Sequence, residues 1–297
     1  MGISLQPLRL LVKAQQAGVD FTNVATLGRH HLNLTEKQIS ATFSESGVFL
    51  DKGESSQILA SEGGFSESLF QHLGAREITS FDASHYEGAS VVHDFNERLP
   101  EEYHQRYSLV VDSGSLEHVF NFPCAIGNLM QAVRLGGHLL LCTPANNYCG
   151  HGFYQFSPEL FYRVFSAQSG FKVEGLYLTY GLSPDWHEVA DPAVVGGRVF
   201  CHSRKATLIG LLVRRIAAVD PFELPAPQQS DYASTWASNT TPKIKDAKKA
   251  PGKMRRLIKS MVPGQVLTLR SIFRKWLWRR AFESRALKSV PWNRAFS

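Results

Sequence analysis

No stretch of this chain comes near the roughly 20 unbroken apolar residues that a membrane-spanning helix needs, so none is expected. Cysteine is scarce. The four present, Cys124, Cys142, Cys149 and Cys201, are spaced like neither a zinc site nor a disulfide framework, and a reducing cytoplasm is the expected setting. The N-terminus, MGISLQPLRLLVKAQQAG, lacks the long apolar core and small-residue cleavage site of a signal peptide and reads as a helix. Internal repeats are absent too. What is not lacking is apolar material: 43% hydrophobic and 11% aromatic over 297 residues exclude a disordered chain and suffice for one large α/β domain with an appendage.

Acids are missing from one end. Residues 243–297 hold 16 Lys and Arg against only Asp246 and Glu283, a net +14, which leaves a net −8 on residues 1–242. An acidic body with a basic tail predicts an anionic partner for the tail alone.

Taken in order, residues 4–17 have helical spacing at Leu8, Leu11, Val12 and Ala14 and stop at Gly18, a helix that covers the sheet. Residues 22–28 are a β-prone run ending at Gly28, and Thr35 with Gln38 fits a capping box for a helix to about Ser46. A rival first strand, Gln57-Ile-Leu-Ala, precedes Glu62-Gly63-Gly64, and Glu62 lies twenty residues before Asp82. Val24-Ala25-Thr26-Leu27 is the cleaner strand, with Glu62, Gly63 and Gly64 still candidates for the same pocket. Strands then follow at 77–82, 90–94 and 107–112, each stopping at an aspartate: Asp82, Asp94 and Asp112. A helix over 122–133 turns at Gly136-Gly137 into a strand at 138–143; Ser157-Pro158-Glu159 opens another helix. Two closing strands at 171–179 and 206–215 flank a long loop. The reading is a doubly wound, mostly parallel, seven-stranded Rossmann-like α/β sheet over residues 21–220, with residues 1–20 as helical cover, a Pro/Ser/Thr-rich linker at 221–252 and a basic helical tail at 253–297. In that tail Val266, Leu269, Ile272, Phe273, Trp276 and Leu277 share one helical face and Arg270, Arg274 and Lys275 surround the other.

Short apolar strands that each end in Asp are what a parallel sheet looks like where one edge meets a polar ligand. Asp82 can accept both hydroxyls of a ribose, Asp94 an exocyclic amine of adenine, and Ser113-Gly114 lets the backbone approach. Strand-terminal aspartates also arise in turns for local reasons; three at successive strand ends favour the ligand. His118 and His151 follow adjacent strands, and His suits proton transfer near neutral pH. The favoured base is His151 with Glu117 and His118 beside it, although His118 could instead cap the next helix. No metal is expected: a two-His-one-acid site on Glu117, His118 and His151 is set aside because Glu117 and His118 are adjacent.

These motifs carry a resemblance. Gly28, Phe81-Asp82-Ala83, Val92-His93-Asp94, LVVDSGSLEHV, VRLGGHLLLCTPAN, His151 and Gly170-Phe171 together resemble the class I S-adenosylmethionine-dependent methyltransferases over residues 21–215. Most specific are Leu116-Glu117-His118-Val119, the Leu-Gly-Gly at 135–137 and the Thr-Pro-x-Asn and Phe-Ser-Pro-Glu-Leu pattern. The resemblance implies S-adenosylmethionine as cofactor. Gly28 would then lie under its methionine part, Asp82 and Ala83 at the ribose, Asp94 and Phe95 at the adenine, and Ser113 and Gly114 at the carboxylate or sulfonium, with Glu62 and Gly63 as further contacts. Without an Asn-Pro-Pro-Tyr-like motif after Asp112, the closer likeness is to small-molecule and glycan O-methyltransferases. The expected acceptor is a hydroxyl of a sugar or polysaccharide precursor, or of another small polar molecule. One departure stands out: Leu-Gly-Arg-His-His occupies 27–31 where the family has an acid and Gly-x-Gly. It motivates the alternative of a catalytically silent, methyltransferase-like scaffold at a membrane surface. A nicotinamide oxidoreductase ranks last, for want of Gly-x-Gly-x-x-Gly. For residues 253–297 the expected partner is an anionic membrane surface, at the inner face of the membrane, ahead of a nucleic acid.

Overall fold

The computed structural model of the protein describes residues 2–200, 203–237 and 286–296. β1 (Gly2–Ile3) leads into α1 (Leu5–Gln16), which ends where Gly18 takes a φ of +84°. That left-handed conformation costs glycine nothing and other residues a clash at Cβ. β2 (Asn23–Leu27) is the expected first strand, and β3 (His31–Leu32) returns to pair in parallel with β1. α2 (Glu36–Glu45) opens on the predicted capping box: Gln38 N–H donates to the Thr35 hydroxyl, and Thr35 N–H donates to Gln38 Oε1 at 2.9 Å. The rival strand at 57–60 is helical, in α3 (Glu54–Leu59).

α4 (Glu67–His72), β4 (Glu77–Asp82) and β5 (Val91–Val92) follow, β5 being shorter than the 90–94 run expected. Then come β6 (Tyr107–Ser113) and α5 (Phe122–Ala132). β7 (Val133–Asn146) begins where that helix stops: Val133 pairs with Tyr107, and the next pair is His138 with Leu109. Gly136-Gly137 therefore sits in a bulge inside the strand, not in a turn ahead of it. The open carbonyls at the end of α5 are closed from elsewhere. Buried Arg215 donates through Nη1 to Met130 O at 3.0 Å and Val133 O at 2.7 Å.

α6 (Pro158–Val164) starts at Ser157, whose hydroxyl accepts from Leu160 N–H as predicted. After β8 (Phe171–Tyr180), the stretch expected to be loop holds β9 (Asp185–Val189) and α7 (Pro192–Val195). β10 (Thr207–Arg215), α8 (Ser230–Ala237) and β11 (Leu287–Pro291) complete the described elements.

The main sheet runs β11-β9-β8-β10-β7-β6-β2-β4-β5. Among the described residues nine strands replace the seven expected, because β9 and β11 extend the β8 edge. β5, β4, β2, β6 and β7 are parallel, and β10 is antiparallel between β7 and β8. Along the parallel part the spatial order, numbered by first appearance of its strands, is 3-2-1-4-5, the doubly wound arrangement. Both faces are covered. Val110, Leu139 and Leu141 pack with α5 and α6 on one side, while Leu109, Val111 and Leu140 pack with α1, α2 and α4 on the other. That explains why these strands read as unbroken apolar runs.

The end of the chain packs into this body. Trp292 Nε1–H donates to Glu45 Oε2 at 2.9 Å, the Arg9 guanidinium lies 5.3 Å from the centroid of the Trp292 ring, and Phe296 N–H donates to the Tyr177 hydroxyl. Residues 286–296 are thus part of the body, although the sequence places them in the tail. The amphipathic helix expected over 266–277 lies outside the described residues, as does Cys201. Among the described residues no helix is long and apolar enough to cross a membrane.

Candidate active site

All five parallel strands end at one edge of the sheet, so Gly28, Asp82, Asp94, Ser113 and Asn146 come out on the same rim. The rim has two halves.

At the first half, Gly28 has a φ of +81° and its N–H donates to Phe81 O at 2.7 Å, which ties the turn after β2 to β4. Arg29 then fills the turn. Its Nε donates to Glu67 Oε1 at 2.6 Å, its Nη1 to Glu87 O at 3.0 Å, and its guanidinium lies 4.0 Å from the centroid of the Phe65 ring. His30 is buried, its ring nitrogens meet no well-formed hydrogen-bond partner among the described residues, and burial, opposed only weakly by the Leu27 backbone, pushes its pKa down to about 4. Glu62-Gly63-Gly64 forms an exposed 3-10 turn, joined to this loop one residue further on, where Ser66 N–H donates to His30 O and Phe65 stacks on His31.

The two aspartates beyond are built alike. Asp82 Oδ1 accepts from Ser84 N–H at 3.0 Å, beside exposed Ala83; Asp94 Oδ1 accepts from Asn96 N–H at 2.9 Å and Nδ2 at 2.7 Å. Among the described residues the other oxygen of each carboxylate has no hydrogen-bond partner. The Asn96 bonds hold the Asp94 carboxyl below its usual range. Phe95 is buried against Phe81, and so supports this corner from beneath. Next to it, Asn96 and Asn121 form one rim of a cavity of about 1170 Å³ between α5, α6 and residues 221–228.

The second half is tightly interlocked. Buried Asp112 closes the turn after β6 by accepting, at Oδ1, from Ser115 N–H at 3.0 Å and Leu116 N–H at 3.2 Å. Gly114 makes that turn at φ +85°, and the Ser115 hydroxyl donates to Leu27 O, which joins the two halves. Ser113 donates its hydroxyl to Gly2 O at 3.1 Å and is committed to β1. Burial, and next the neighbouring Glu117 charge, push the Asp112 carboxyl well above the usual carboxylate range. The same burial raises the Cys142 thiol and makes it a poor nucleophile.

A 3-10 turn, Leu116–His118, follows. Its Glu117 is fully buried; Oε2 accepts from Thr143 Oγ1 at 3.1 Å and Oε1 faces His151 Nε2 at 3.2 Å. The loop carrying His151 is fastened to the same residue through backbone: Phe153 N–H donates to Glu117 O at 2.8 Å. Gly152, at φ +70°, comes so near that a Cβ would stand 2.8 Å from Glu117 O. His118 stacks edgewise on His151 with ring centroids 4.8 Å apart, and burial lowers its pKa against the opposing pull of Glu117. His118 does not cap α5, whose first turn has no side-chain cap. Sequence reasoning singled out Glu117, His118 and His151, and the fold brings all three together, with ligand-capable atoms within 4.8 Å of one another. It missed Thr143 as a partner of Glu117, Arg29 as the filler of the first turn, and the exposed aromatic pair Phe120 and Phe153, two residues on from His118 and His151 and with ring centroids 5.8 Å apart.

No family model and no curated protein matches this chain. Solved structures similar to it include an S-adenosylmethionine-dependent methyltransferase from Mesorhizobium loti, at 12% identity and a TM-score of 0.39, covering 71% of this chain and 98% of that one. An N-methyltransferase from Bradyrhizobium japonicum matches at 11% identity and 0.39, covering 71% and 96%. A third, from Burkholderia thailandensis, is a 1,6-didemethyltoxoflavin N1-methyltransferase at 12% identity and 0.36, covering 72% and 78%.

Proposed function

We propose that this protein transfers a methyl group from S-adenosylmethionine to a hydroxyl of a small polar acceptor. The observation that carries the reading is the rim itself. Two strand-end carboxylates, each with an oxygen left for a ligand, stand on the same sheet edge as a buried carboxylate aimed at a half-exposed imidazole. The chain's residues fit the adenosine part of the cofactor: Asp82 has an acceptor oxygen for ribose hydroxyls, and Asp94 with Phe95 offers an acceptor over an apolar floor for adenine. For the methionine part, the turn at Gly28 and Gly114 is the remaining candidate. When bound, the cofactor supplies an electrophilic methyl group on a sulfonium.

The protein's own contribution lies in the second half. The Glu117 carboxylate makes His151 Nε2 the donor of their hydrogen bond, which leaves Nδ1 with the lone pair that can take the acceptor's hydroxyl proton. Glu117 then faces the imidazolium that forms, and general-base catalysis by a side chain held in this way is worth about 10²–10⁴ in rate. Phe120 and Phe153 expose aromatic surface two residues on from His118 and His151, which suits the apolar face of a sugar ring. A sugar hydroxyl is therefore the acceptor we favour.

Calorimetric titration with S-adenosylmethionine and S-adenosylhomocysteine tests the first part; binding is expected in the wild type and loss of at least about tenfold in Asp82→Ala, the equivalent of one good hydrogen-bonded charge. A second reading, a body of this fold that binds without reacting, is favoured by Arg29, which fills the first turn with its own side chain. Absence of any heat with either ligand would decide for it.

A further inference from the structure

We infer that Glu117, His118 and His151 form a binding site for a divalent transition-metal cation. Adjacency of Glu117 and His118 counted against this in the sequence. The 3-10 turn removes the objection, since Glu117 runs into the core, His118 stays at the surface, and the 147–156 loop lays His151 across both. The ligand-capable atoms of the three lie within 4.8 Å of one another, and Glu117 Oε1 and His151 Nε2 are 3.2 Å apart. With metal–ligand bonds of about 2.1 Å, adjacent ligand atoms stand about 3.0–3.4 Å apart in octahedral or tetrahedral geometry. One edge of the triangle already has that length, and rotation of two half-exposed imidazoles closes the rest.

Three further features fit a cation. Glu117 is a fully buried carboxylate, and buried charges are normally paired or bound to metal; among the described residues its Oε1 faces only a half-exposed histidine. Thr143 holds Oε2, so Oε1 is presented alone and in a fixed direction, as an outer partner does for a metal-binding carboxylate. Both imidazoles open outward, and so the remaining coordination positions face solvent and an incoming ligand, as in catalytic rather than structural sites. Two imidazoles and one carboxylate suit Mn²⁺, Fe²⁺, Co²⁺ or Zn²⁺ better than Mg²⁺ or Ca²⁺. Such a cation would bind the acceptor oxygen and promote loss of its proton to water; in the metal-loaded protein His151 would be a ligand through a deprotonated Nε2, and its role as base belongs to the metal-free protein. That use rests on the proposed methyl transfer; binding of the cation does not.

The test uses the full chain, stripped with EDTA and titrated with MnCl₂, with ZnCl₂ as competitor and MgCl₂ as control. One equivalent of Mn²⁺ is expected, displaced by Zn²⁺, with nitrogen coupling in the pulsed electron paramagnetic resonance spectrum. His118→Ala and His151→Ala should each weaken binding by at least about tenfold, and Thr143→Val less. Both histidines are exposed, and unchanged thermal melts are expected to show their variants folded. Wild-type binding no tighter than that of the double histidine variant, or a spectrum without nitrogen coupling, overturns the site. S-adenosylhomocysteine is titrated into the same samples: Mn²⁺ binding without nucleoside binding leaves the metal site standing and removes the methyltransferase reading.

Discussion

The two halves of the rim solve the problem of presenting polar groups at a strand end in opposite ways. Around Asp82 and Asp94 each carboxylate is anchored by one oxygen to a turn two residues on, at the surface, and the other oxygen is left over. At Glu117 the carboxylate and its Thr143 partner are fully enclosed, only the two imidazoles reach the surface, and the backbone of one loop is bolted to the backbone of another. Local turns of the first kind are inexpensive and adaptable. An enclosed network is costly to break and fixes geometry in advance, which is what proton transfer or metal ligation requires.

This contrast predicts where substitutions hurt. Gly152→Ala should be the most damaging, because a Cβ at φ +70° meets Glu117 O at 2.8 Å; a loss of about 3 kcal/mol in urea unfolding is expected, and one below about 1 kcal/mol breaks the picture of a rigid second half. Next comes His30. Its folded pKa of about 4 lies below an unfolded value of about 6.5, so its stabilising contribution is present above pH 6.5 and is lost as pH falls through 4, by roughly 3 kcal/mol in all. His30→Leu should therefore flatten the stability profile across pH 4–6.5, whereas an unaltered profile would mean that the ring is not buried uncharged.

Asp112 has the opposite sign. With its carboxyl raised in the folded state, the contribution is whole below an unfolded pKa of about 3.9 and is lost as pH rises through the folded value. Asp112→Asn keeps an acceptor for Ser115 and Leu116 and should remove that decline, read as a stability gain over wild type that grows with pH. The smallest effect belongs to the first half: Asp94→Ala should shift stability by no more than about 0.5 kcal/mol. A larger shift would show that its turn is structural and erase the distinction between the halves.

Much of this was legible in local sequence. Apolar runs stopping at Asp82 and Asp112 located two strands, and Thr35 with Gln38 and Ser157 with Pro158 located helix starts, because those signals act within four residues. The Gly136-Gly137 signal misled for a physical reason. The end of α5 is capped by Arg215 from 82 residues away, so the glycines were free to bulge inside β7. β9 and β11 escaped because Asp185–Val189 and Leu287–Pro291 owe their extended form to pairing with each other and with β8.

By itself the sequence determined the class of fold, the edge of the sheet where polar residues gather and the identity of Glu117, His118 and His151 as chemistry-bearing residues. All of these follow from period, turn chemistry and side-chain type. Only the tertiary structure decided that Glu117 is buried behind Thr143, that His118 and His151 meet over it, that Arg29 occupies the first turn and that the end of the chain returns to the sheet. Each of those depends on contacts between residues far apart in sequence, for which a single chain carries no local signal.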